Sequence, residues 1–184
     1  MISNYFKKSI NKLKPYNLIF IGNLDERKNP FLVINLIQKI SKKIGVIFHI
    51  IGSGPLEKDI RKFIKDNNLE KFILFHGFKN NPYKLISESD LLVLPSYSEG
   101  TSRAVLESLF LGVPCLIRDV DSNYELINAK LNNCILFKHD NELEDLIIKE
   151  LKESRNRKHR ENLLPEKFRM ENIKKKLNKI LSDF

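Results

Sequence analysis

The stretch from residue 91 to residue 117 reads LLVLPSYSEGTSRAVLESLFLGVPCLI, and its pattern decides the fold class. Four apolar residues, Leu91 to Leu94, predict a strand that is buried on both faces. Apolar residues at helical spacing then predict a helix from Ser102 to Leu111, with Gly112 as its C-cap. A second short apolar run, Cys115 to Ile117, predicts another strand. A strand, a helix and a strand in this order are typical of a parallel sheet.

The same alternation continues on both sides of this stretch. Further strands are predicted at 17–22, 46–51, 72–76 and 133–137, and further helices at 30–44, 56–67, 82–88, 124–128, 142–153 and 167–181. We therefore expect an α/β fold with a Rossmann-like, doubly wound parallel sheet of six strands. The expected organisation is an N-terminal lead-in over 1–16, one domain over 17–165 and a basic C-terminal helix over 166–184.

The composition suits a folded domain of ordinary size. The chain has 184 residues, of which 42% are hydrophobic and 12 are Phe, so disordered and collagen-like classes are excluded. No apolar run is long enough to span a membrane, and residues 1–15 lack the apolar segment of a signal peptide. The two cysteines, Cys115 and Cys134, are too far apart for a paired metal-ligand motif. A reducing cytoplasm is therefore the expected location.

The formal net charge of +9 is unevenly distributed. Residues 1–90 contain 16 Lys or Arg against 8 Asp or Glu, whereas residues 91–140 contain 4 against 6. A basic N-terminal half attracts a nucleoside diphosphate, an RNA backbone or an anionic membrane surface, and charge alone does not choose among them. Lysines that only solvate helix faces are the simpler alternative. Nucleic acid is disfavoured, because base stacking needs accessible aromatic residues and most Phe residues fall inside apolar runs.

Ligands of open parallel sheets bind beyond the carboxyl ends of the strands, so the loops after the strands are the candidate sites. The loop that begins at Gly22 places Arg27 and Lys28 just before a helix. Cations are favoured there only if an anion lies between them and the helix, and Lys28 is the preferred phosphate contact. The alternative is that Asp25 and Glu26 neutralise both cations on the surface.

The loop after the second strand reads Gly52-Ser53-Gly54-Pro55. Two glycines permit a close approach of the backbone to a ligand, although a tight turn alone also requires them. Glu57 stands where a dinucleotide-binding fingerprint needs a third glycine, and the chain has no Gly-Lys-Ser/Thr element. The dinucleotide and P-loop interpretations are therefore rejected.

The loop within the opening stretch carries the most chemistry. Thr101 or Ser102 is expected to cap the following helix, which leaves the amides of Gly100, Thr101 and Ser102 free to bind an anion. Glu99 precedes them, and Glu107 lies within the helix and leans back toward the same end. Ionised carboxylates accept hydrogen bonds from vicinal diols, so the combination predicts a nucleotide sugar as ligand. The alternative is a capping Glu99 and a solvated Glu107.

Two other chemistries are disfavoured. Glycoside hydrolysis requires two carboxylates that flank a bond and has no use for phosphate donors. No metal is expected, because no acidic doublet ends a strand and the four histidines do not stand at ligand spacing. These histidines are His49, His76, His139 and His159.

The chain from Gly22 to about Phe137 resembles the C-terminal, donor-binding domain of retaining GT-B glycosyltransferases of family 4, the glycosyl transferases group 1. The matching motifs are Gly22 with Lys28, GSGPL at 52–56, HGF at 76–78, DLLVLPS at 90–96, Glu99-Gly100 with Glu107, GVP at 112–114, and Glu125. Each motif is common, but the ordered set is specific. The resemblance implies one half of a GT-B fold and a role in polysaccharide biosynthesis.

The resemblance also implies roles for the matched residues. Lys28 would contact the diphosphate of the donor, Glu107 would hold the ribose hydroxyls, and Glu99 would bind the transferred sugar, with Lys28 and Glu99 as the catalytic residues. The backbone at 77–79 would face the base. The full substrate-binding set is Gly22, Arg27, Lys28, Gly52, Gly54, Phe78, Lys79, Glu99, Gly100, Thr101, Ser102 and Glu107. A nucleoside-diphosphate sugar is the expected donor, and no cofactor is expected.

Three positions depart from the pattern of the family. Asn23 stands where an arginine usually follows the first-loop glycine, so one diphosphate contact is missing unless Arg27 replaces it. Asn29 stands where a glycine usually follows the lysine. The loop at 121–123 lacks the usual glycines, which leaves its shape near the sugar open.

The resemblance leaves out the acceptor-binding domain of the family. We expect donor binding without efficient transfer from this chain, with an N-terminal acceptor domain or a separate subunit as its partner. The expected reaction is transfer of a hexose-type sugar to a glycan or lipid-linked acceptor. A non-catalytic partner subunit with the same fold is an alternative. The Lys-rich tail at 168–181 resembles a terminal helix that packs on the missing half, and binding to the inner membrane face is its alternative role.

Overall fold

A parallel β-sheet forms the centre of the protein. The computed structural model describes residues 14–100, 102–120, 133–154 and 163. Its strands are β1 (Tyr16–Ile21), β2 (Val46–Ile51), β3 (Ile73–Gly77), β4 (Leu91–Leu94), β5 (Cys115–Arg118) and β6 (Cys134–Phe137). Each begins and ends within one residue of its predicted bounds, because short apolar runs mark strands that are covered on both faces.

Helices connect the strands. They are α1 (Pro30–Lys43), α2 (Glu57–Asp66), α3 (Tyr83–Ser87), α4 (Arg103–Phe110) and α5 (Leu143–Ser154), and a 3₁₀ turn over Asp140–Glu142 precedes α5. All five were expected from the sequence, with ends that differ by at most one residue. The helices predicted at 124–128 and 167–181 lie outside the described residues. None of the helices in the described ranges is long and apolar enough to cross a membrane.

The strand order is β3-β2-β1-β4-β5-β6, and every neighbouring pair is parallel. The chain winds outward from β1 to β3 and then returns to the other side of β1 as β4. The six-stranded, doubly wound parallel sheet predicted from the sequence is therefore confirmed. In such sheets the crevice for ligands opens where the winding reverses, beyond the carboxyl ends of β1 and β4.

Fully buried aliphatic and aromatic side chains hold the helices to the sheet. The inner face of α1 contributes Val33, Ile34, Ile37 and Ile40. Each such side chain stabilises the fold by roughly 1.5–3 kcal/mol relative to an exposed one. An edge-to-face contact between the rings of Phe31 and Phe63, with centroids 5.7 Å apart, joins α1 to α2. This packing makes a firm base for the loops at the carboxyl edge of the sheet.

Candidate functional site

A cleft of about 600 Å³ opens at the carboxyl edge of the sheet, beside the reversal between β1 and β4. Its walls come from the loops after β1, β2, β3 and β4 and from the first turns of α4. The lining residues are Ile21, Gly22, Asn23, Lys28, Ile51, Gly52, Ser53, Phe78, Lys79, Asn80, Pro82, Tyr83, Glu99, Ser102, Arg103, Ala104 and Glu107. The cleft thus brings together Lys28, Glu99 and Glu107.

Asp25 organises the loop after β1. Its carboxylate accepts hydrogen bonds from the backbone N–H of Lys28 at 2.9 Å and from Asn23 Nδ2 at 2.8 Å. Burial raises the pKa of Asp25, but these hydrogen bonds and the nearby cations outweigh burial and lower it overall. Asn29 then adopts the left-handed conformation, with φ of 48°, and α1 begins. Asparagine tolerates this conformation, which explains how Asn29 stands where the family usually has glycine.

Lys28 and Glu99 form a buried ion pair within the cleft. Lys28 Nζ donates to Glu99 Oε1 at 2.5 Å and to Oε2 at 2.6 Å, and Ser96 Oγ donates to Oε1 at 2.6 Å. The side chains are only 13% and 7% exposed. The two groups therefore satisfy each other in a poorly hydrated place, where the charge of either one alone would be costly. The ammonium and the carboxylate face the same ligand space.

Arg27 does not line the cleft. Its Nη1 donates to the carbonyl oxygen of Ser98 at 2.8 Å, and its own carbonyl accepts from the N–H of Tyr97 at 2.8 Å. Its Nη2 also lies 3.8 Å from the carboxylate of Asp25. Arg27 therefore ties the loop after β1 to the loop after β4. A diphosphate contact from Arg27 stays a prediction, and in this structure its guanidinium contacts the carbonyl of Ser98.

The two glycines after β2 permit contact between loops. A Cβ on Gly52 would lie 1.8 Å from the carbonyl oxygen of Gly22, and a Cβ on Gly54 would lie 2.5 Å from that of Leu24. Both have positive φ, 149° and 156°. Leu24 and Ser53 are also joined by a backbone hydrogen bond of 2.9 Å. Gly52 lines the cleft, whereas Gly54 packs behind it against the loop after β1.

The start of α4 forms a second wall. Ser102 is the N-cap and is buried in the cleft, but its hydroxyl makes no capping hydrogen bond. Ser102, one of the two predicted alternatives, is therefore confirmed as the N-cap residue, without a side-chain capping hydrogen bond among the described residues; Thr101 lies outside them. Gly100 is exposed and does not line the cleft. Glu107 is half-buried, and its carboxylate has no hydrogen bond or ion pair among the residues that the structure describes.

The loop after β3 and the start of α3 form the third wall. Phe78 and Lys79, which belong to the predicted substrate-binding set, both line the cleft. Phe78 is 69% exposed and Tyr83 is 47% exposed, so two large aromatic rings stand at the mouth of the cleft. Tyr83 and Arg103 were not singled out from the sequence. Tyr83 lies on α3 and Arg103 on α4, two helices that are in contact.

Two histidines pair beneath this wall. His49 on β2 and His76 on β3 share a hydrogen bond of 2.9 Å between Nδ1 of His49 and Nε2 of His76. Asn17 Nδ2 donates to the carbonyl of Glu88, so its Oδ1 faces His49 Nε2 at 3.3 Å and accepts from it. His49 Nδ1 is then the acceptor in the pair. Within the described ranges, no three His, Cys, Asp or Glu side chains gather as metal ligands.

Burial lowers the pKa of both imidazoles. The pKa of His49 is lowered to about 4, first by burial and then by the charge of His76. The pKa of His76 is lowered by burial and by the charge of Lys79. Both rings are therefore neutral near pH 7, as their shared hydrogen bond requires. The pair was not predicted from the sequence, because the two histidines are 27 residues apart. They meet because β2 and β3 are neighbours in the sheet.

Arg118 supports the loop that carries Glu99. It lies at the end of β5, is 8% exposed, and its Nε donates to the carbonyl of Pro95 at 3.2 Å. Its Nη2 donates to Asp140 at 2.6 Å, and its guanidinium carbon lies 4.7 Å and 4.9 Å from the ring centres of Tyr97 and Phe137. The loop after β4 thus rests on a cation with several partners.

The comparisons with known proteins match this architecture. A family model for glycosyl transferases group 1 matches residues 1–167. The chain belongs to the glycosyl transferases group 1 family. An Escherichia coli UDP-Gal:alpha-D-GlcNAc-diphosphoundecaprenol alpha-1,3-galactosyltransferase is 29% identical to it over 140 residues, which are 73% of this chain and 36% of that protein. This group 1 chain spans about a third of the length of the curated relatives it matches.

Solved structures show the same fold. The pneumococcal O-GlcNAc transferase GtfA, in complex with UDP and GlcNAc, has a TM-score of 0.75 at 20% identity and covers 92% of this chain and 36% of its own. The lipopolysaccharide outer core galactosyltransferase WaaB has a TM-score of 0.77 at 18% identity and covers 95% of this chain and 51% of its own. These neighbours are GT-B glycosyltransferases. The GT-B half that the sequence motifs implied for this group 1 chain is therefore confirmed.

Proposed function

We propose that this group 1 chain is the nucleotide-sugar donor-binding domain of a retaining glycosyltransferase that transfers a hexose-type sugar to a glycan or lipid-linked acceptor. The observation that carries the proposal is the meeting, in one cleft at the reversal of the sheet, of the Lys28–Glu99 pair and the Glu107 carboxylate, which has no partner among the described residues. The E. coli relative is named for a UDP-galactose donor and a diphosphoundecaprenol acceptor, and GtfA was solved with UDP, which agree with this substrate class.

Each of the three side chains has a chemically distinct task in this proposal. Glu107, with no partner among the described residues, accepts hydrogen bonds from the ribose hydroxyls. Lys28 donates to the diphosphate and stabilises the negative charge that grows there as the bond to the sugar breaks. Glu99 accepts from hydroxyls of the transferred sugar. Since Lys28 and Glu99 are in contact, the sugar and its diphosphate meet at the pair.

The residues at the mouth of the cleft favour a second protein surface that covers it and binds the acceptor. Phe78 and Tyr83 line the cleft and are 69% and 47% exposed, so aromatic surface lies at the opening. Exposed aromatic groups around a cleft are typical of surfaces that other protein surfaces cover. We infer that an acceptor-binding domain, or a separate subunit, faces this opening and supplies the acceptor hydroxyl from the side of the sugar where the diphosphate departs.

The first test is binding of nucleoside diphosphates. Titration calorimetry of the purified protein with UDP and with GDP is expected to give a Kd between about 1 μM and 1 mM for one of them. Replacement of Glu107 by Gln is expected to weaken that binding by roughly tenfold, because a charged acceptor for two hydroxyls is lost. Glu153→Gln is the matched control, since Glu153 is half-exposed on α5 and lies outside the cleft.

If a folded protein binds neither UDP nor GDP, the donor-binding assignment is wrong. If Glu107→Gln binds as tightly as Glu153→Gln, the ribose role of Glu107 is wrong although donor binding stands. Circular dichroism of each variant establishes that it is folded.

A further inference from the structure

The cleft is lined by more cations than its one ion pair neutralises. Lys28, Lys79 and Arg103 are the cations among its described lining residues, and Glu99 and Glu107 are the carboxylates. Glu99 contacts Lys28 through both oxygens, which neutralises that ammonium. Lys79 and Arg103 have no ion pair among the described residues. Two cations that line the cleft therefore have no carboxylate partner within the part of the chain that the structure describes.

Arg103 and Glu107 are placed as complementary ligand contacts. Both lie on α4, four residues and therefore about 6 Å apart along the helix axis. This spacing ordinarily permits a salt bridge, yet none forms between the two, and both side chains line the cleft. The guanidinium remains available to an anion, and the carboxylate remains available to hydroxyl groups. A nucleotide presents these two chemistries side by side, since one methylene group separates the ribose ring from its phosphate.

The loop after β1 offers little further positive charge to a diphosphate. Asn23 is uncharged, and its amide donates to Asp25 at 2.8 Å. Arg27 is held by the carbonyl of Ser98 and does not line the cleft. Lys28 is paired with Glu99, so it brings little net charge to a ligand with two or more negative charges. The diphosphate of the proposed donor therefore needs a further cation.

We propose that Arg103 supplies this contact and binds the diphosphate of the donor nucleotide in place of the cation that Asn23 does not provide. This inference rests on the proposed function. A guanidinium binds two phosphate oxygens through parallel hydrogen bonds in a fixed planar geometry, whereas the ammonium of Lys79 acts as a point charge. Lys79 follows Phe78 in the loop after β3, whereas Arg103 shares α4 with Glu107. Arg103 thus acts as the second phosphate cation and Lys79 does not.

The test compares ligands that differ only in phosphate. Titrations of UDP, UMP and uridine with the wild type, Arg103→Gln and Lys79→Gln measure each contribution, with GDP, GMP and guanosine used if the protein prefers guanine. Arg103→Gln is expected to weaken diphosphate binding by roughly tenfold and to change nucleoside binding by less than about twofold. It is also expected to reduce the salt dependence of diphosphate binding. Arg61→Gln, which removes an exposed guanidinium on α2 outside the cleft, is the matched control.

Three outcomes of these titrations would contradict the role of Arg103. If Arg103→Gln binds the diphosphate like the wild type, or loses diphosphate and nucleoside affinity by the same factor, the inference is wrong while the proposed function stands. If Lys79→Gln alone shows the phosphate-specific loss, Lys79 and not Arg103 is the second cation. If the folded wild type binds neither UDP nor GDP, the proposed function falls and this inference falls with it. Arg103 is exposed, so its variant is expected to fold normally.

Discussion

At the scale of single residues, Gly52 shows how closely the loops of the cleft approach one another. Its backbone has φ of 149°, and a side chain there would meet the carbonyl oxygen of Gly22 at 1.8 Å. The neighbouring atoms are backbone, which cannot move aside like the end of a flexible side chain. Residue 52 must therefore be glycine because any side chain would clash with the backbone of Gly22. Both glycines line the cleft.

Replacement of Gly52 by Ala is expected to lower the free energy of unfolding by about 2–4 kcal/mol, because the loops after β1 and β2 must separate. Gly77→Ala is the matched control: Gly77 has φ of 67°, but nothing lies within 4 Å of the position of its Cβ. That variant is expected to lose about 1 kcal/mol, from the left-handed backbone alone. Urea unfolding measures both, and equal losses would contradict the contact argument.

At the scale of elements, the loop after β4 is held from two sides. Arg27 reaches it from the loop after β1 and donates to the carbonyl of Ser98. Arg118 reaches it from the end of β5, donates to the carbonyl of Pro95 and lies against the ring of Tyr97. Because Glu99 belongs to this loop, its place in the cleft depends on strands that are neighbours only in the folded sheet.

The contacts of Arg118 predict that its replacement destabilises the protein more than replacement of its ion-pair partner Asp140. Arg118→Met is expected to lower the free energy of unfolding by about 2 kcal/mol, since it removes the hydrogen bond to the carbonyl of Pro95 and two cation–π contacts. Asp140→Asn removes only an ion pair whose carboxylate is 50% exposed, and such pairs contribute about 0–1 kcal/mol. Denaturant unfolding of both variants checks this. If Asp140→Asn loses as much free energy of unfolding as Arg118→Met, the stabilisation comes from the ion pair and not from the other contacts of Arg118.

At the scale of the whole molecule, the winding of the sheet determines where chemistry collects. The reversal between β1 and β4 places the loop of Lys28 beside the loop of Glu99, although the two residues are 71 positions apart. The same winding puts β2 beside β3, which brings His49 to His76. Both polar pairs arise from strand adjacency, and only the first lies in the cleft.

The histidine pair predicts how stability depends on pH. The unfolded imidazole of His49 takes up a proton below about pH 6.5, whereas burial and His76 keep its folded pKa at about 4. Unfolding is therefore promoted by protons in this window. The free energy of unfolding is expected to fall by about 1–2 kcal/mol more in the wild type than in His49→Gln between pH 6.5 and pH 4.

Urea unfolding at several pH values measures this difference. His139→Gln is the control, because His139 is exposed and lies outside the pair. If the wild type and His49→Gln lose stability in parallel on acidification, the buried pair does not titrate as described. Carboxylates such as Asp25 add their own loss at low pH, but they add it to all three proteins.

The amino-acid sequence by itself determined the elements of this fold and much of the residue content of the site. Apolar runs marked the strands, the stripe from Val33 to Ile40 marked α1, and the order of glycines and carboxylates indicated a nucleotide-sugar cleft. These features are legible because burial and helical periodicity act over a few neighbouring residues.

Tertiary structure alone decided which side chains become partners. It paired Lys28 with Glu99, turned Arg27 to Ser98, joined His49 to His76 and left Arg103 facing the cleft. Each of the three contacts joins residues 27 or more positions apart. Local pattern does not carry such information, because the partner of a charged or polar group depends on strand order and loop approach, which only the packing of the whole sheet establishes.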